Sequence, residues 1–146
     1  MRYVRLITRV ALPLIALGLW FGAGAADAKV VAVVSAKKPL ATLSRNQVVD
    51  IFLGKVSRFP DGQPAVPIDQ AEGSSARDEF YLQFAHRSPA QLKAHWSKII
   101  FTGRGQPPKE VSDGAQLKQR LLANPDAIGY LDQNLVDGSV RIVSSE

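Results

Sequence analysis

The sequence contains no cysteine and only two histidines. The absence of cysteine excludes disulfide bonds, thiolate zinc sites and cysteine nucleophiles. The histidines, His86 and His95, are separated by the helix-breaking pair Ser88-Pro89, so one helix face does not carry both. No H-E-x-x-H or G-x-S-x-G motif is present. We therefore expect neither a metal site nor an assembled nucleophile, and we predict a protein that is not an enzyme and has no cofactor.

A strongly basic surface of the kind that binds nucleic acid is also missing. No block of lysine or arginine is interleaved with aromatic residues, so nucleic acid is not an expected partner. The formal net charge of the whole chain is +5, and it falls to +3 when the three arginines and the single aspartate of residues 1–28 are left out. A mild positive charge favours small anionic ligands.

The chain lacks an apolar run long enough to span a membrane. The longest apolar stretch, Val10–Gly22, is interrupted by Pro13 and is shorter than the ~20 residues that a spanning helix needs. Three arginines precede this stretch, and Ala26-Asp27-Ala28 after it fits a small-x-small cleavage site. We predict residues 1–28 to be a signal peptide rather than a membrane anchor, and we expect the remaining chain to be periplasmic, without stable membrane insertion.

Residues 29–146 are enough for one domain with one core. Strand patterns alternate with helix patterns along this part of the chain. The predicted strands are Val30–Val34, Ala65–Ile68, Ala127–Leu131 and Ser139–Val143. The predicted helices begin at Ser44, just after Gly73, at Ser88, and at Ser112 or Asp113. The alternation predicts an α/β domain with helices in two layers around one sheet.

The most informative segment joins the second predicted strand to the second predicted helix. The strand ends near Ile68, a turn centres on Gly73, and Ser74 and Ser75 open the helix. This order directs backbone N–H groups and serine hydroxyls to one place, which suits a small oxyanion such as phosphate. Serine before a helix is also an ordinary cap, so a purely structural role stays open.

Two arginines are candidates for anion contacts. Arg77 lies one turn into the helix; it either reaches a ligand at the helix start or pairs with acidic neighbours on the surface. Arg104 lies between two glycines, either as an anion contact or as a solvated loop residue. The carboxylates of Asp69 and Glu72 are interpreted as solvated turn residues rather than as a pair of catalytic acids.

Three segments in order resemble the periplasmic phosphate-binding proteins of ABC transporters, in the type II periplasmic-binding-protein-like superfamily. The segment 43–55, L-S-R-N-Q-V-V-D-I-F-L-G-K, is similar to the family helix L-x-x-D-I-F-x-G-K. Residues 66–76 resemble the strand, the phosphate loop R-x-D-G-S-G-T and the following helix start. Residues 126–130, D-A-I-G-Y, resemble the strand G-A-I-G-Y. The resemblance implies a three-layer α/β/α fold of about one lobe, where family members have two.

The resemblance also implies an oxyanion site, with some departures. Gly73 and Ser74 match the glycine and the first phosphate-binding serine of the family loop. Ser75 stands in place of the second glycine, Ala76 in place of the binding threonine, and Gln70 in place of the phosphate-clamping arginine. The residues expected to contact the anion are Gly73, Ser74, Ser75, Arg77, Gln70 and Arg104.

We therefore expect an exported solute-binding domain that binds phosphate or a similar small oxyanion in ABC-type phosphate uptake. The expected partner is the permease of an ABC transporter or a sensor protein of the cell envelope. The alternative is an interaction or sensory module of the envelope that keeps the fold but has a degenerate pocket.

Overall fold

The computed structural model of the protein describes residues 29–144, so the predicted signal peptide, residues 1–28, lies outside the described part. The strands are β1 (Val30–Ser35), β2 (Val66–Gln70), β3 (Lys109–Val111), β4 (Ala127–Asp132) and β5 (Val140–Ile142). The helices are α1 (Arg45–Phe52), α2 (Ser75–Ala85), α3 (Pro89–Phe101) and α4 (Gly114–Ala123), with a 3-10 turn at Gln133–Leu135.

Side-chain caps fix the helix starts where the sequence predicted them. The Ser44 hydroxyl accepts a hydrogen bond from the Gln47 amide at 3.3 Å, and the Gln47 side chain accepts from the Ser44 amide at 2.8 Å. Ser88 and Gln91 repeat this capping box at α3. Of the two predicted caps for α4, Asp113 is the one used. Each cap satisfies a backbone N–H that has no acceptor within its own helix.

The five strands form one mixed sheet in the order β3-β2-β4-β1-β5. β2 runs parallel to both β3 and β4, whereas β1 runs antiparallel to both β4 and β5. Because β2, β3 and β4 share one direction, the loops after Gln70, Val111 and Asp132 all leave from the same edge of the sheet.

Alternate residues of β1 face two separate cores. Val30, Ala32 and Val34 pack in the core that includes the buried side chains of α1, α2 and α3. Val31 and Val33 pack in a second core with the buried leucines of α4. This arrangement explains why the strand is apolar at every position but its last, since it is buried on both faces. The predicted three-layer α/β/α fold is confirmed.

Two details differ from the sequence-based expectation. The three-residue edge strand β3 was not predicted, because Lys109 and Glu110 are exposed and only Val111 is buried, which leaves no apolar pattern to recognise. The apolar pattern of α3 predicts a buried face of Leu92, Trp96, Ile99 and Ile100; the first three pack in or against the core, whereas the Ile100 side chain is 48% exposed. Ile100 is one helix position beyond Ile99, which rotates its side chain by about 100°.

Candidate functional site

The candidate site lies where β2 ends and α2 begins, at the edge of the sheet to which three parallel strands point. Gln70 is the last residue of β2, and Ser75 is the first residue of α2. Open α/β sheets bind ligands outside the carboxyl ends of their strands. The four intervening residues therefore occupy a position that favours ligand binding.

The connection between β2 and α2 is a tight turn. The Ser74 amide donates to the Ala71 carbonyl at 3.1 Å, and Gly73 has a φ of +85°. A Cβ atom added at Gly73 would have no atom within 4 Å outside its chain neighbours, so the left-handed backbone, and not crowding, is what favours glycine here. The turn reverses the chain in the space of a few residues and sets the start of α2.

Ser74 is the N-cap of α2. Its hydroxyl oxygen accepts a 3.3 Å hydrogen bond from the Arg77 amide, which is the capping role that the sequence left open. The amides of Ser75 and Ala76 have no acceptor among residues 29–144, as is usual in the first turn of a helix. Ser75 is exposed and Ser74 half-buried. Two amides and two hydroxyls thus lie together at this helix start.

Gln70 is buried, and both its backbone amide and its side-chain nitrogen are bonded within the protein. Its side-chain Nε2 donates to the Tyr130 carbonyl at 2.9 Å. Its amide donates to the Asp69 carboxylate at 2.9 Å and lies 3.0 Å from the Tyr130 hydroxyl oxygen. These bonds tie the end of β2 to β4, so Gln70 holds the base of the turn in place.

Asp69 is the centre of a buried polar cluster that the sequence analysis missed. The residue is 1% exposed, in contrast to the expectation of a solvated turn carboxylate. The Tyr81 hydroxyl donates to its Oδ2 at 2.8 Å, and the Tyr130 hydroxyl donates to its Oδ1. The Arg77 Nε lies 3.5 Å from Oδ2. Buried carboxylates require such partners because their desolvation is costly. The signal available in the sequence was the pair of tyrosines, Tyr81 in α2 and Tyr130 in β4.

Burial raises the pKa of the Asp69 carboxyl above its usual range, while the hydrogen bond from Tyr130 and the positive charge of Arg77 act in the opposite direction. Burial also raises the pKa of the Tyr81 and Tyr130 hydroxyls, and the neighbouring Asp69 charge raises both further. Both tyrosines therefore stay protonated near neutral pH and remain hydrogen-bond donors.

The two candidate arginines occupy very different environments. Arg77 is 9% exposed and makes ion pairs with Asp69 and, through its Nη1 at 3.2 Å, with Glu110 on β3. Arg104 is exposed on the loop between α3 and β3, and within residues 29–144 only its backbone amide finds a partner, the Ile99 carbonyl at 3.1 Å. Arg77 therefore fastens α2 to two strands, whereas the Arg104 side chain is open to solvent.

The histidines have structural positions in the part of the chain described here. His95 Nε2 lies 3.0 Å from the Leu53 carbonyl, and His86 ends α2 with a left-handed backbone. Among residues 29–144, no three or more His, Cys, Asp or Glu side chains are grouped as metal ligands would be.

None of the helices within residues 29–144 is long and apolar enough to cross a bilayer.

No protein-family model matches the sequence, and no curated protein sequence matches it significantly. Similarity is found among solved structures, and it confirms the fold that the sequence predicted.

Three solved structures illustrate this similarity. A protein assigned as a phosphate ABC transporter substrate-binding protein, from Clostridium perfringens and with bound phosphate, has a TM-score of 0.61 and 22% identity over 78% of this chain and 43% of its own. An ABC-type phosphate transport receptor from Vibrio cholerae has a TM-score of 0.61 and 19% identity, and the match covers 78% of this chain and 44% of the receptor. A possible phosphate binding protein from Planctomyces limnophilus has a TM-score of 0.54 and 16% identity, and the match covers 80% of this chain and 41% of that protein.

The likeness at these identities is a likeness of fold. The chain spans less than half of the length of each of these three structures.

Proposed function

We propose that the protein binds phosphate or a similar small oxyanion at the start of α2, as a solute-binding component of ABC-type phosphate uptake. The observation that carries this proposal is the pair of amides at Ser75 and Ala76, which have no acceptor in the described part of the chain and follow the Gly73 turn at the carboxyl ends of parallel strands. The fold that contains this turn is also the fold of solved phosphate receptors.

In this proposal the anion accepts hydrogen bonds from the amides of Ser75 and Ala76 and from two serine hydroxyls. The Ser74 oxygen already accepts from the Arg77 amide, so its own proton remains available for a ligand. The positive end of the α2 dipole adds further attraction for an anion.

In this proposal Gln70 and Arg77 support the turn from its buried side and do not themselves contact the anion. The Gln70 side chain is bonded to β4, and the Arg77 charge is shared with Asp69 and Glu110. We infer that they hold the turn in its binding shape, and that the exposed Arg104 adds long-range attraction. A site built on amides and hydroxyls on an open surface gives modest affinity, because water competes for every donor.

The cellular setting is part of the same proposal. We infer that residues 1–28 direct export, that the domain acts in the periplasm, and that it delivers its anion to a permease or to an envelope sensor. This chain covers less than half of the solved receptors, so a partner chain that covers the turn would raise the affinity.

Calorimetric titration of the protein with phosphate, and separately with sulfate, tests the proposal. Two variants of Ser75 isolate the amide contribution. Ser75→Ala removes only the hydroxyl, whereas Ser75→Pro also removes the N–H. Proline suits this first helical position, and Ser74 has the extended backbone (ψ of 139°) that proline favours in the preceding residue. We expect Ser75→Pro to weaken phosphate binding about tenfold more than Ser75→Ala, since a hydrogen bond to a charged group contributes about 1.5–3 kcal/mol.

A matched pair of cap variants separates binding from stability. Ser74 and Ser88 are both N-cap serines, so Ser74→Ala and Ser88→Ala should each cost about 1 kcal/mol of folding free energy. Only Ser74→Ala should weaken phosphate binding. Absence of heat and of any thermal shift at millimolar phosphate and sulfate would exclude the proposed function.

One observation favours the second candidate, an interaction or sensory module with a degenerate pocket. The buried Arg77 has its charge balanced by two carboxylates of the protein itself, so this cation is not available to an anion at the start of α2. This reading predicts no anion response in the titrations above, together with an unchanged fold.

A further inference from the structure

Residues 80–109 contain no aspartate or glutamate, although they run from the middle of α2 through α3 to the first residue of β3. They carry five cations. These are Arg87, Lys93, Lys98, Arg104 and Lys109. The formal net charge of residues 29–146 is +3, so without these five cations it would be −2. None of the five side chains has an ion-pair partner among residues 29–144. This segment therefore holds the whole positive excess of the domain, and the protein itself does not neutralise it.

The end of α3 places two apolar side chains within this basic segment. Phe101, the last residue of the helix, is 92% exposed, more than any other large apolar residue among residues 29–144, and Ile100 is 48% exposed. The helix face that leads to Phe101 is also exposed and carries the small side chains of Ala90, Ala94 and Ser97. The Phe101 ring therefore protrudes from a low surface. Residues 98–104, the end of the helix and the turn after it, form the α3 tip.

The turn after α3 holds the tip in one shape. Three carbonyls of the last helical turn accept backbone hydrogen bonds of 3.1 Å. The acceptors are Lys98, Ile99 and Ile100, and the donors are the amides of Thr102, Arg104 and Gly103, in that order. Such carbonyls are normally left to water at the end of a helix. Because they are already bonded here, moving the tip into a less polar medium costs less.

Two exposed cations flank Phe101 along the chain. Lys98 lies about one helical turn before it, and Arg104 follows it after the turn. An apolar anchor between cations suits the surface of an anionic bilayer. There the ring enters the boundary between headgroups and acyl chains, and the cations meet the lipid phosphates.

Two other occupants fit the α3 tip less well. A second copy that docked through the same surface would set its cations against those of the first copy, and a protein partner would need a recess shaped to the protruding ring. Carboxylates do not surround this ring. Ile100 borders a cavity whose charged lining includes Glu72 and Glu110. Phe101 is the next residue, about 100° further round the helix, so these carboxylates lie to one side of it.

We propose that the α3 tip is a docking surface for an anionic lipid bilayer. Phe101 enters the headgroup boundary, Lys98 and Arg104 contact lipid phosphates, and the other cations of residues 80–109 draw the domain to the membrane. The contact is reversible, because one ring and a few cations bind far more weakly than a spanning helix. This surface uses neither the start of α2 nor its proposed anion.

The absence of cysteine allows one fluorescent label to be placed at a chosen position of the full chain. Ser97→Cys carries a label that brightens in apolar surroundings, about one turn before Phe101. Leu122→Cys carries the same label on α4, which packs on the opposite face of the sheet. Vesicles of equal parts phosphatidylglycerol and phosphatidylcholine should brighten the label at position 97 in a saturable way and leave the label at position 122 unchanged. This difference reports the orientation of the bound domain, whether or not residues 1–28 also touch lipid.

Variants at exposed positions divide the binding into apolar and charged contributions. In the Ser97→Cys background, Phe101→Ala should weaken vesicle binding about tenfold. The double change Lys98→Gln, Arg104→Gln should weaken it about twentyfold, at about fivefold for each cation. The matched controls lie on α4: Leu122→Ala and Arg120→Gln should leave the binding unchanged.

Vesicles of phosphatidylcholine alone, and inorganic phosphate alone, should leave the label at position 97 unchanged. An equal response of the two labels, an equal response to phosphatidylcholine alone, or full binding by Phe101→Ala would overturn the proposed surface. A response that depends on protein concentration without lipid would assign the surface to a second copy and would overturn it as well. None of these results alters the phosphate titrations, so the two proposals fail independently.

Discussion

The Tyr81 hydroxyl donates a 2.8 Å hydrogen bond to the carboxylate of Asp69, which fastens the second turn of α2 to the end of β2. The two residues stand on opposite sides of the Gly73 turn. Their bond therefore holds α2 against β2 on the buried side of the turn. It fixes the direction in which the first amides of α2 point. This buried contact and the turn together hold the candidate site in shape.

Tyr81→Phe should lower the free energy of unfolding by about 1–3 kcal/mol, because a buried carboxylate oxygen loses a donor while the ring still fills its place. Urea denaturation measures this loss. Tyr130→Phe should cost at least as much, since the Tyr130 oxygen also lies within hydrogen-bond distance of the Gln70 amide. A Tyr81→Phe protein as stable as the parent would show that the contact adds nothing to the folding free energy.

The buried Asp69 should give the protein a characteristic pH dependence. Burial raises the pKa of this carboxyl in the folded state above the value of 3.8 expected for the unfolded chain. The folded state then holds its proton where the unfolded state has lost it, so the Asp69 contribution to stability falls as the pH rises from about 4 through the folded pKa.

Chemical denaturation of the parent and of Asp69→Asn at a series of pH values checks this sign. As the pH rises from about 4 through the folded-state pKa of Asp69, the parent should lose stability relative to Asp69→Asn. At higher pH the difference in unfolding free energy between the two proteins should be constant. A difference that grows with pH instead would mean that the hydrogen bonds and Arg77 outweigh burial.

Gly129→Ala should destabilise the protein by about 1–3 kcal/mol through overpacking. An added Cβ would lie 2.6 Å from a methyl carbon of Leu117, which is fully buried between α4 and the sheet and has little room to move. Thermal unfolding measures the effect. Combining Gly129→Ala with Leu117→Ala should cost less than the sum of the two single changes, because each relieves the other. Strict additivity would contradict the proposed clash.

Gly54→Ala and Gly62→Ala form a matched pair. Both glycines have positive φ, +74° and +86°, so both substitutions carry the backbone cost of about 1–2 kcal/mol for a left-handed residue. Only at Gly54 would the new Cβ also meet a side chain, at 3.0 Å from the Trp96 ring. Gly54→Ala should therefore be the more destabilising of the two in urea denaturation. Equal losses would show that the indole moves aside at no cost.

Much of the fold follows from local sequence signals. The capping boxes at Ser44 and Ser88 fixed two helix starts, because a cap depends only on residues three apart. The apolar run of β1 predicted a strand buried on both faces. Gly73 and Ser74 marked the turn between β2 and α2, since positive φ and the N-cap each favour particular residue types. Local chemistry therefore determined the elements and the order in which they come.

The tertiary structure decided which polar side chains form hydrogen bonds and ion pairs with distant parts of the chain. Asp69 meets Tyr130, and Gln70 meets the same residue, across about sixty positions of sequence. Arg77 meets Glu110 on an edge strand that has no recognisable pattern. No local signal marks such pairs, because they form only when β2, β3 and β4 lie side by side. By itself the sequence determined the turn at which we propose an anion site, and the packing of distant strands determined which of the charged residues around that turn already have partners.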